Sequence, residues 1–158
     1  MSNIEQIYTT YIRSTEQKVW DAITNPEFTR QYWGHENVSD WKIGSKWGHV
    51  ANDDPTRTPK IIGKVLECNP PRRLVTSWAS PNNLADESKV TYEIQQVEDM
   101  VRLIVTHNEF KAGSTMANGV SKGWPRVLSS MKSYLETGKG LNVFAGMEKS
   151  ASCSATAA

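Results

Sequence analysis

The feature that most constrains the fold is a succession of short strand-like runs across the middle of the chain. Each run is rich in β-branched and aromatic residues or alternates between apolar and polar residues, as pleated strands do. The separators, such as Ile43-Gly44 and Asn69-Pro70-Pro71, contain the residues that make tight turns. This pattern predicts consecutive hairpins and therefore an antiparallel sheet. The runs are Ile7 to Ile12, then 37–42, 45–50, 60–69, 73–79, 89–97 and 100–108.

Two short helices are predicted directly after the first strand. Ser14 and Gln17 have the spacing of a capping box, and apolar residues follow at helical intervals. Asn25-Pro26 suits the start of the second helix, because Asn caps free amide groups and Pro fits a first turn. Gly34 suits a left-handed end to that helix.

A long amphipathic helix is predicted near the C-terminus and ends at Gly138. Pro125 fits a first turn but kinks a helix interior, so the regular part begins near Trp124 or bends there. Residues 141–158 are rich in small residues and predict a flexible tail, which leaves 1–140 as one domain. The apolar face of the helix carries Val120, Trp124, Val127, Leu128, Met131, Tyr134 and Leu135.

Two longer interruptions of the strand pattern, Asn52 to Pro59 and Ser80 to Ser88, predict exposed loops at the ends of the sheet. They contain the adjacent carboxylates Asp53-Asp54 and Asp86-Glu87. Neighbouring residues rarely converge on one metal ion, so these pairs indicate solvated loop charge. Neither pair is expected to form a metal site.

Composition excludes several classes of function. The net charge of +1 gives no broad positive field for nucleic acid or acidic membranes. No window holds the roughly eighteen consecutive apolar residues of a membrane-spanning helix, and the first residues lack the pattern of a signal peptide. Cys68 and Cys153 have no Cys or His companion at metal-ligand spacing, which fits a reduced interior. We therefore expect a cytoplasmic protein with no nucleic-acid partner, no membrane insertion, no metal and no cofactor.

Four segments between Ile7 and Lys139 carry a resemblance to a known family. They are IRSTEQKVWDAITNPEFTRQYWG, GKVLECNPPRRLVTSW, VRLIVTHNEF and GWPRVLSSMKSYLETGK. In this order they resemble the START-like (SRPBCC) superfamily, in the branch similar to the C-terminal domain of activators of the heat-shock protein 90 ATPase. The resemblance implies an α+β helix-grip fold, in which a seven-stranded curved antiparallel sheet wraps around the long C-terminal helix. Relatives of this fold bind apolar molecules, and some are cyclases, hydrolases or co-chaperones.

A ligand-binding cavity between sheet and helix is the leading hypothesis for function. Four of the six tryptophans should face the interior and line an aromatic pocket, although the same rings would equally serve as core packing. Strand alternation places His49 beside Trp47 and places His107 beside Val105 on inward faces. Gly63 would leave room for a ligand or the helix, or mark a β-bulge. The predicted ligand-binding set is Trp33, Trp47, His49, Gly63, Val65, Trp78, Tyr92, Leu103, Val105, His107, Trp124, Leu128, Met131 and Leu135.

Three functions remain open from the sequence. The first is binding of a small hydrophobic or aromatic ligand, with the protein a monomer or weak dimer. The second is a protein-interaction or co-chaperone-like module that regulates an ATPase chaperone. The third is a cyclase or hydrolase for polyketide-like or ester substrates, with His107 and then His49 as candidate proton-transfer groups. The sequence contains no HExxH, P-loop or GxGxxG signature, which favours binding over catalysis. Gly119 to Gly123 matches the letters GxSxG, but this stretch does not follow a strand at the spacing of a nucleophile elbow.

Overall fold

The computed structural model describes residues 4–145 and contains the predicted order of strand, two helices, six strands and helix. The α+β helix-grip class is confirmed. The helices are α1 (Glu16–Thr24), α2 (Pro26–Trp33) and α3 (Thr115–Thr137). The strands are β1 (Gln6–Ile12), β2 (His35–Val38), β3 (Lys46–Ala51), β4 (Pro59–Asn69), β5 (Arg73–Ser80), β6 (Asn83–Val97) and β7 (Met100–Asn108).

All seven strands form one antiparallel sheet in the order β1-β7-β6-β5-β4-β3-β2. Strands β2 to β7 pair with their sequence neighbours, while β1 crosses to the far edge and pairs with β7 from Gln6↔His107 to Ile12↔Val101. Register shifts interrupt β3–β4, β4–β5 and β5–β6. Such bulges bend the strands, so this half of the sheet curls around α3.

The ends of α1 and α2 follow from local side-chain chemistry. Asn25 ends α1 and also caps α2, where its side chain accepts from Glu27 N at 2.9 Å, and Gly34 ends α2 at φ 76°. The predicted cap of α1 was wrong by one residue. Thr15, with an extended backbone, accepts from Lys18 N at 3.2 Å, whereas Ser14 Oγ is buried without a partner. A capping side chain must stand at the last extended residue, and that residue is Thr15.

The predicted loop from Ser80 to Ser88 is also wrong, because β6 begins at Asn83. Ser80 pairs directly with Asn83, so β5 and β6 meet in a two-residue hairpin. The segment alternates as a strand does, with Asp86 and Ser88 buried and Glu87 exposed. Because these inward-facing residues are polar, the segment has the composition of a loop and lacks the apolar alternation from which a strand is usually predicted. Polar groups can be buried in this way when hydrogen bonds satisfy them.

Helix α3 starts nine residues before Trp124, at Thr115, and contains Pro125 within it. Its N-cap is Ser114, whose side chain accepts from Ala117 N at 3.2 Å. The inward face of its second half lies in the curve of the sheet, where Trp124, Leu128 and Met131 are almost fully buried. No helix within residues 4–145 is long and apolar enough to cross a membrane.

The chain after α3 packs back onto the domain as far as it is described. Ser130 Oγ, fully buried, donates to Tyr32 O at 2.6 Å and accepts from Leu141 N at 2.7 Å. Val143 belongs to the core cluster. Of residues 141–145, which belong to the predicted tail, Val143 therefore contributes to the core while the other four are exposed. The rest of the predicted tail, 146–158, lies outside the described residues.

Candidate functional site

A cleft of about 510 Å³ lies between the curled part of the sheet and the first half of α3. We call it the sheet–helix cleft. Strands β3 to β6 supply one wall, residues 115–127 of α3 supply the other, and Trp33 and Phe144 close one end. Gly119 and Gly123 line the cleft on α3, and a Cβ at either position would meet nothing within 4 Å, so the space in front of them is open.

The floor of the sheet–helix cleft is aromatic. Trp33, Trp78 and Trp124 each border it while remaining at least nine-tenths buried. Their ring centroids are 5.7 Å apart for Trp33 and Trp124 and 5.4 Å apart for Trp78 and Trp124. These separations are those of aromatic rings in contact. The three rings therefore form one continuous apolar surface.

The indole N–H groups of two of these rings are held by the protein. Trp78 Nε1 donates to Thr76 Oγ1 at 3.0 Å, and Trp124 Nε1 donates to His107 Nδ1 at 3.0 Å. No acceptor for Trp33 Nε1 is found among residues 4–145.

His107 lies beneath the floor and both of its ring nitrogens are engaged. Indole nitrogen only donates, so His107 Nδ1 must be the accepting, unprotonated nitrogen. Nε2 then carries the proton and donates to Ser88 Oγ at 2.7 Å. Burial lowers the pKa of His107 to about 3. This neutral imidazole, with both nitrogens hydrogen-bonded, holds Trp124 in position and has no free nitrogen for proton transfer.

His49 occupies the cleft wall in a different state. Its Nδ1 lies 2.7 Å from Asn37 Oδ1, and Asn37 Nδ2 donates in turn to Ile23 O at 3.0 Å. Its ring stacks on His35 with centroids 4.3 Å apart and meets Trp33 edge-on at 4.6 Å. Burial, and then the neighbouring His35, hold the pKa of His49 well below its usual value. His49 is therefore a neutral polar group in an aromatic wall.

Asp86 corrects the prediction of solvated loop charge, because it is buried at the start of α3. Its Oδ2 accepts from Met116 N at 3.2 Å and from Thr115 Oγ1 at 3.3 Å. Burial raises its pKa, but hydrogen bonds from Ser114, Met116 and Thr115 outweigh that and leave the pKa lowered. The carboxylate stabilises the positive end of the helix dipole and fixes where α3 begins.

The structure brings four of the predicted ligand-binding residues together on the cleft wall, namely Trp33, His49, Trp78 and Trp124. The other inward-facing residues of the predicted set are covered by neighbouring side chains in the core. The predicted residues placed in the core instead are Val65, Tyr92, Leu103, Val105, His107, Leu128 and Met131, with Leu135 half-buried beside them.

Trp47 and Gly63 do not line this cleft. The Trp47 ring packs in the core, with its centroid 5.3 Å from that of Trp78, and both residues also border a groove on the outer side of the sheet. We call this the outer groove; it measures about 990 Å³ and is lined from β2 to β6. Trp47 Nε1 donates to Ser77 O at 2.8 Å. A Cβ on Gly63 would lie 1.8 Å from Ser77 O and 2.6 Å from Trp47 Nε1. Gly63 is required by this contact, with no part in the cleft wall.

Several wall residues were not in the predicted set. On α3 they recur at helical spacing, and an earlier helix start would have found them. The polar wall residues on β4 to β6 could not be recognised from the sequence, because they stand in segments whose composition is typical of loops. The additional wall residues are Lys60, Ile61, Ser80, Asn83, Asp86, Thr115, Met116, Gly119, Val120, Gly123, Val127 and Phe144.

No group of three or more His, Cys, Asp or Glu side chains that could hold a metal ion occurs within residues 4–145. The cleft is instead aromatic, with a few neutral polar groups. A curled antiparallel sheet that grips a C-terminal helix, with an open cleft between them, defines a START-like protein.

Comparison with protein families gives the particular branch. The family model described as "Activator of Hsp90 ATPase homolog 1-like protein" matches residues 13–136, and the chain belongs to this family. No protein with a curated description matches the chain.

Solved structures with the same fold cover most of the chain. The Aha1 dimer of Colwellia psychrerythraea is 19% identical with a TM-score of 0.70, over 87% of this chain and 99% of that one. An HSP90 activator of Plasmodium falciparum is 24% identical with a TM-score of 0.64, over 76% and 86%. CalU16 of Micromonospora echinospora is 23% identical with a TM-score of 0.63, over 78% and 71%. At these identities the similarity shows the fold.

Proposed function

We propose that this protein binds a small hydrophobic or aromatic molecule in the sheet–helix cleft. The observation that carries the proposal is the open, tryptophan-floored space of about 510 Å³ between the sheet and α3. This volume lies in the range of about 300–1,000 Å³ that small-molecule sites occupy. Trp33, Trp78 and Trp124 pack in the hydrophobic core, and each also borders this accessible space.

The composition of the cleft favours a largely apolar ligand. Met116, Val120 and Val127 of α3 face the tryptophan floor across the cleft. A flat ligand between these two surfaces would remove apolar area from water on both of its faces, which stabilises the complex by roughly 25 cal/mol per Å² before the costs of association. Aromatic rings add stacking with the indoles.

A steric test uses the glycines that keep the cleft open. In Gly123→Phe the new ring has no neighbour to displace and fills cleft space, so binding of the neutral fluorescent probe N-phenyl-1-naphthylamine should weaken by about tenfold or more. The control Ser129→Phe adds the same ring on an exposed position of α3 and should bind like wild type. Circular dichroism checks the fold of both variants.

The same experiment can overturn the proposal. Equal affinity of wild type and Gly123→Phe for the probe would place binding elsewhere on the surface. A wild-type protein that gives no saturable probe fluorescence and retains no small molecule in native mass spectrometry, when purified from its own host, would refute ligand binding in the cleft.

A second candidate function is regulation of a chaperone through the outer groove. This groove contains the exposed apolar side chains of Val38, Leu66 and Leu84, together with Lys46 and Lys64, which make no ion pair within residues 4–145. Exposed apolar patches of this kind are typical of protein-binding surfaces. The family description and the Plasmodium relative make an Hsp90-type ATPase the partner to test, and the Colwellia relative makes a second copy the alternative.

The two functions make separable predictions. Leu66→Glu should abolish any stimulation of a purified Hsp90 ATPase and leave probe binding unchanged, whereas Gly123→Phe should do the reverse. Absence of ATPase stimulation and of a complex in sedimentation with wild-type protein would remove this candidate. The cyclase or hydrolase alternative gains no support from His107, because both of its nitrogens are hydrogen-bonded. A cytoplasmic location stays a prediction.

A further inference from the structure

The hydrogen-bond chain behind His49 determines which of its nitrogens faces the cleft as an acceptor. Asn37 Nδ2 is the amide group that donates to Ile23 O, so the oxygen Oδ1 is the group that meets His49. A carboxamide oxygen only accepts, and Nδ1 of His49 must therefore carry the proton. In the neutral imidazole the other nitrogen, Nε2, then has a free lone pair.

This lone pair is not used within the protein. No donor to His49 Nε2 is found among residues 4–145. His49 is only 4% exposed, and the accessible space that it borders is the sheet–helix cleft. His49 therefore contributes an unused hydrogen-bond acceptor, Nε2, to the cleft wall.

A donor stands beside this acceptor. The indole of Trp33 meets the His49 ring edge-on with centroids 4.6 Å apart, and both rings line the cleft. Trp33 Nε1 makes no hydrogen bond to another residue within 4–145. Indole nitrogen can only donate. The aromatic end of the cleft thus offers one acceptor and one donor from two touching rings.

We propose that the ligand of the cleft is a neutral aromatic compound with a hydroxyl group, which donates to His49 Nε2 and accepts from Trp33 Nε1. The inference rests on the proposed ligand-binding function and adds the chemical class. A hydroxyl is the smallest common group that both donates and accepts. A carboxylate would leave the His49 acceptor unpaired, and an ammonium would leave the Trp33 donor unpaired.

The wall of the cleft carries few charged side chains. The wall carries one cation, Lys60, and one anion, Asp86, within the described residues. Asp86 is occupied at the start of α3, where Met116 N and Thr115 Oγ1 donate to it. Burial and His35 keep His49 uncharged at neutral pH, so its Nε2 remains an acceptor. Lys60 makes no ion pair within residues 4–145, but a ligand that entered with an anionic group alone would leave the His49 acceptor unpaired.

The first test is a ligand series on the wild-type protein, followed by quenching of tryptophan fluorescence. 2-Naphthol, 2-methoxynaphthalene and naphthalene share one ring system, but the first can donate and accept, the second can only accept and the third can do neither. We expect 2-naphthol to bind about tenfold or more tightly than the other two, since only its hydroxyl pairs with the desolvated acceptor that the other two leave unpaired.

The results for the three compounds test the hydroxyl inference separately from the proposed ligand-binding function. Equal dissociation constants for all three compounds would overturn the hydroxyl inference and leave the cleft as a nonspecific aromatic site. Binding of none of the three would overturn the proposed function itself and the inference with it. Tighter binding of 2-methoxynaphthalene than of 2-naphthol would also contradict the assignment of Nε2 as an acceptor.

The second test reads the nitrogen directly and needs no variant. In protein labelled with ¹⁵N-histidine, the unprotonated Nε2 signal of His49 should shift when 2-naphthol is added. His107 provides the internal control, because its Nε2 is protonated and donates to Ser88. A protonated Nε2 in His49, or a signal that stays still while the tryptophan fluorescence is quenched, would refute the proposal. Trp33→Phe, which keeps an aromatic ring but removes the donor, should reduce the preference for 2-naphthol over naphthalene.

Discussion

Replacement of Gly63 by alanine should destabilise the protein more than any other glycine-to-alanine change in the sheet. The added Cβ would lie 1.8 Å from Ser77 O and 2.6 Å from Trp47 Nε1. Displacing either of these two atoms costs free energy. Ser77 O belongs to the backbone of β5, and Trp47 is 4% exposed and bonded to that same oxygen at 2.8 Å. The methyl group must therefore displace a strand or break the Trp47–Ser77 hydrogen bond.

The magnitude follows from the two costs. Overpacking of a tight core site costs about 1–3 kcal/mol. Loss of a buried hydrogen bond that leaves its partners unpaired costs about 1–3 kcal/mol. The two costs overlap, because the shift that relieves the clash is the one that breaks the bond. We therefore expect a loss of about 3 kcal/mol, which for a domain of this size lowers Tm by about 6–12 °C.

Urea unfolding followed by circular dichroism, with calorimetry for Tm, measures this loss. The matched control is Gly119→Ala in α3, where a Cβ meets nothing within 4 Å. Alanine is better than glycine in a helix by about 0.8–1 kcal/mol, so this variant should be at least as stable as wild type. A Gly63→Ala protein with wild-type stability would show that Gly63 is not held by Ser77 and Trp47. Loss of stability in both variants would show that the effect is not specific to the close contact.

Two further predictions concern buried polar groups. The folded pKa of His107 is about 3, below the ordinary value of about 6.5, so only the unfolded chain binds a proton between these values. The contribution of neutral His107 to the free energy of unfolding is therefore fully present above about pH 6.5. It decreases as the pH falls, by about 2 kcal/mol between pH 7 and pH 5. Urea unfolding at pH 7 and pH 5 should show that His107→Gln loses less stability between these two pH values than wild type does. Equal losses in the two proteins would contradict a neutral, buried His107. Ser130→Ala should cost about 2 kcal/mol, because Tyr32 O and Leu141 N lose their shared partner, while Ser129→Ala on the exposed face should change stability by less than about 0.5 kcal/mol. A Ser130→Ala variant as stable as its control would refute the bridging role of this hydroxyl.

Local chemistry made much of the fold predictable. Asn25-Pro26 and Gly34 set the boundaries of α2 because caps depend on one or two residues and their own backbone angles. Gly44, at φ 88°, marks the predicted turn before β3 for the same reason. The alternation of β7 was equally clear, with Val101, Leu103 and Val105 buried. Each of these signals is contained in a few adjacent residues.

Predictions failed where a local signal had its partner far away in sequence. The start of α3 depends on Asp86, which accepts from Met116 across a separation of 30 residues. Asp86 looked like a solvated loop residue because nothing near it in sequence shows that a helix begins above it. Gly63 was assigned to a ligand cavity for the same reason, since its close neighbours Trp47 and Ser77 belong to adjacent strands.

The candidate site was only partly predictable, because alternation gives the direction of a side chain but not what covers it. Trp78 on β5 and Leu103 on β7 both face inward. The first borders open space and the second is sealed in the core. The difference depends on where α3 crosses the sheet and where its glycines leave a gap.

The sequence by itself determined the order of elements, the antiparallel pairing, the helix ends near Asn25, Gly34 and Gly138, and the inward direction of the aromatic residues. These follow from turn chemistry, capping and periodicity, which are properties of neighbouring residues. Only the tertiary structure decided that Trp33 and His49 meet at the cleft, that His107 is tied between Ser88 and Trp124, and that Asp86 fixes the start of α3. These depend on contacts between distant segments, whose distances and hydrogen-bond directions exist only once the sheet has curled around the helix.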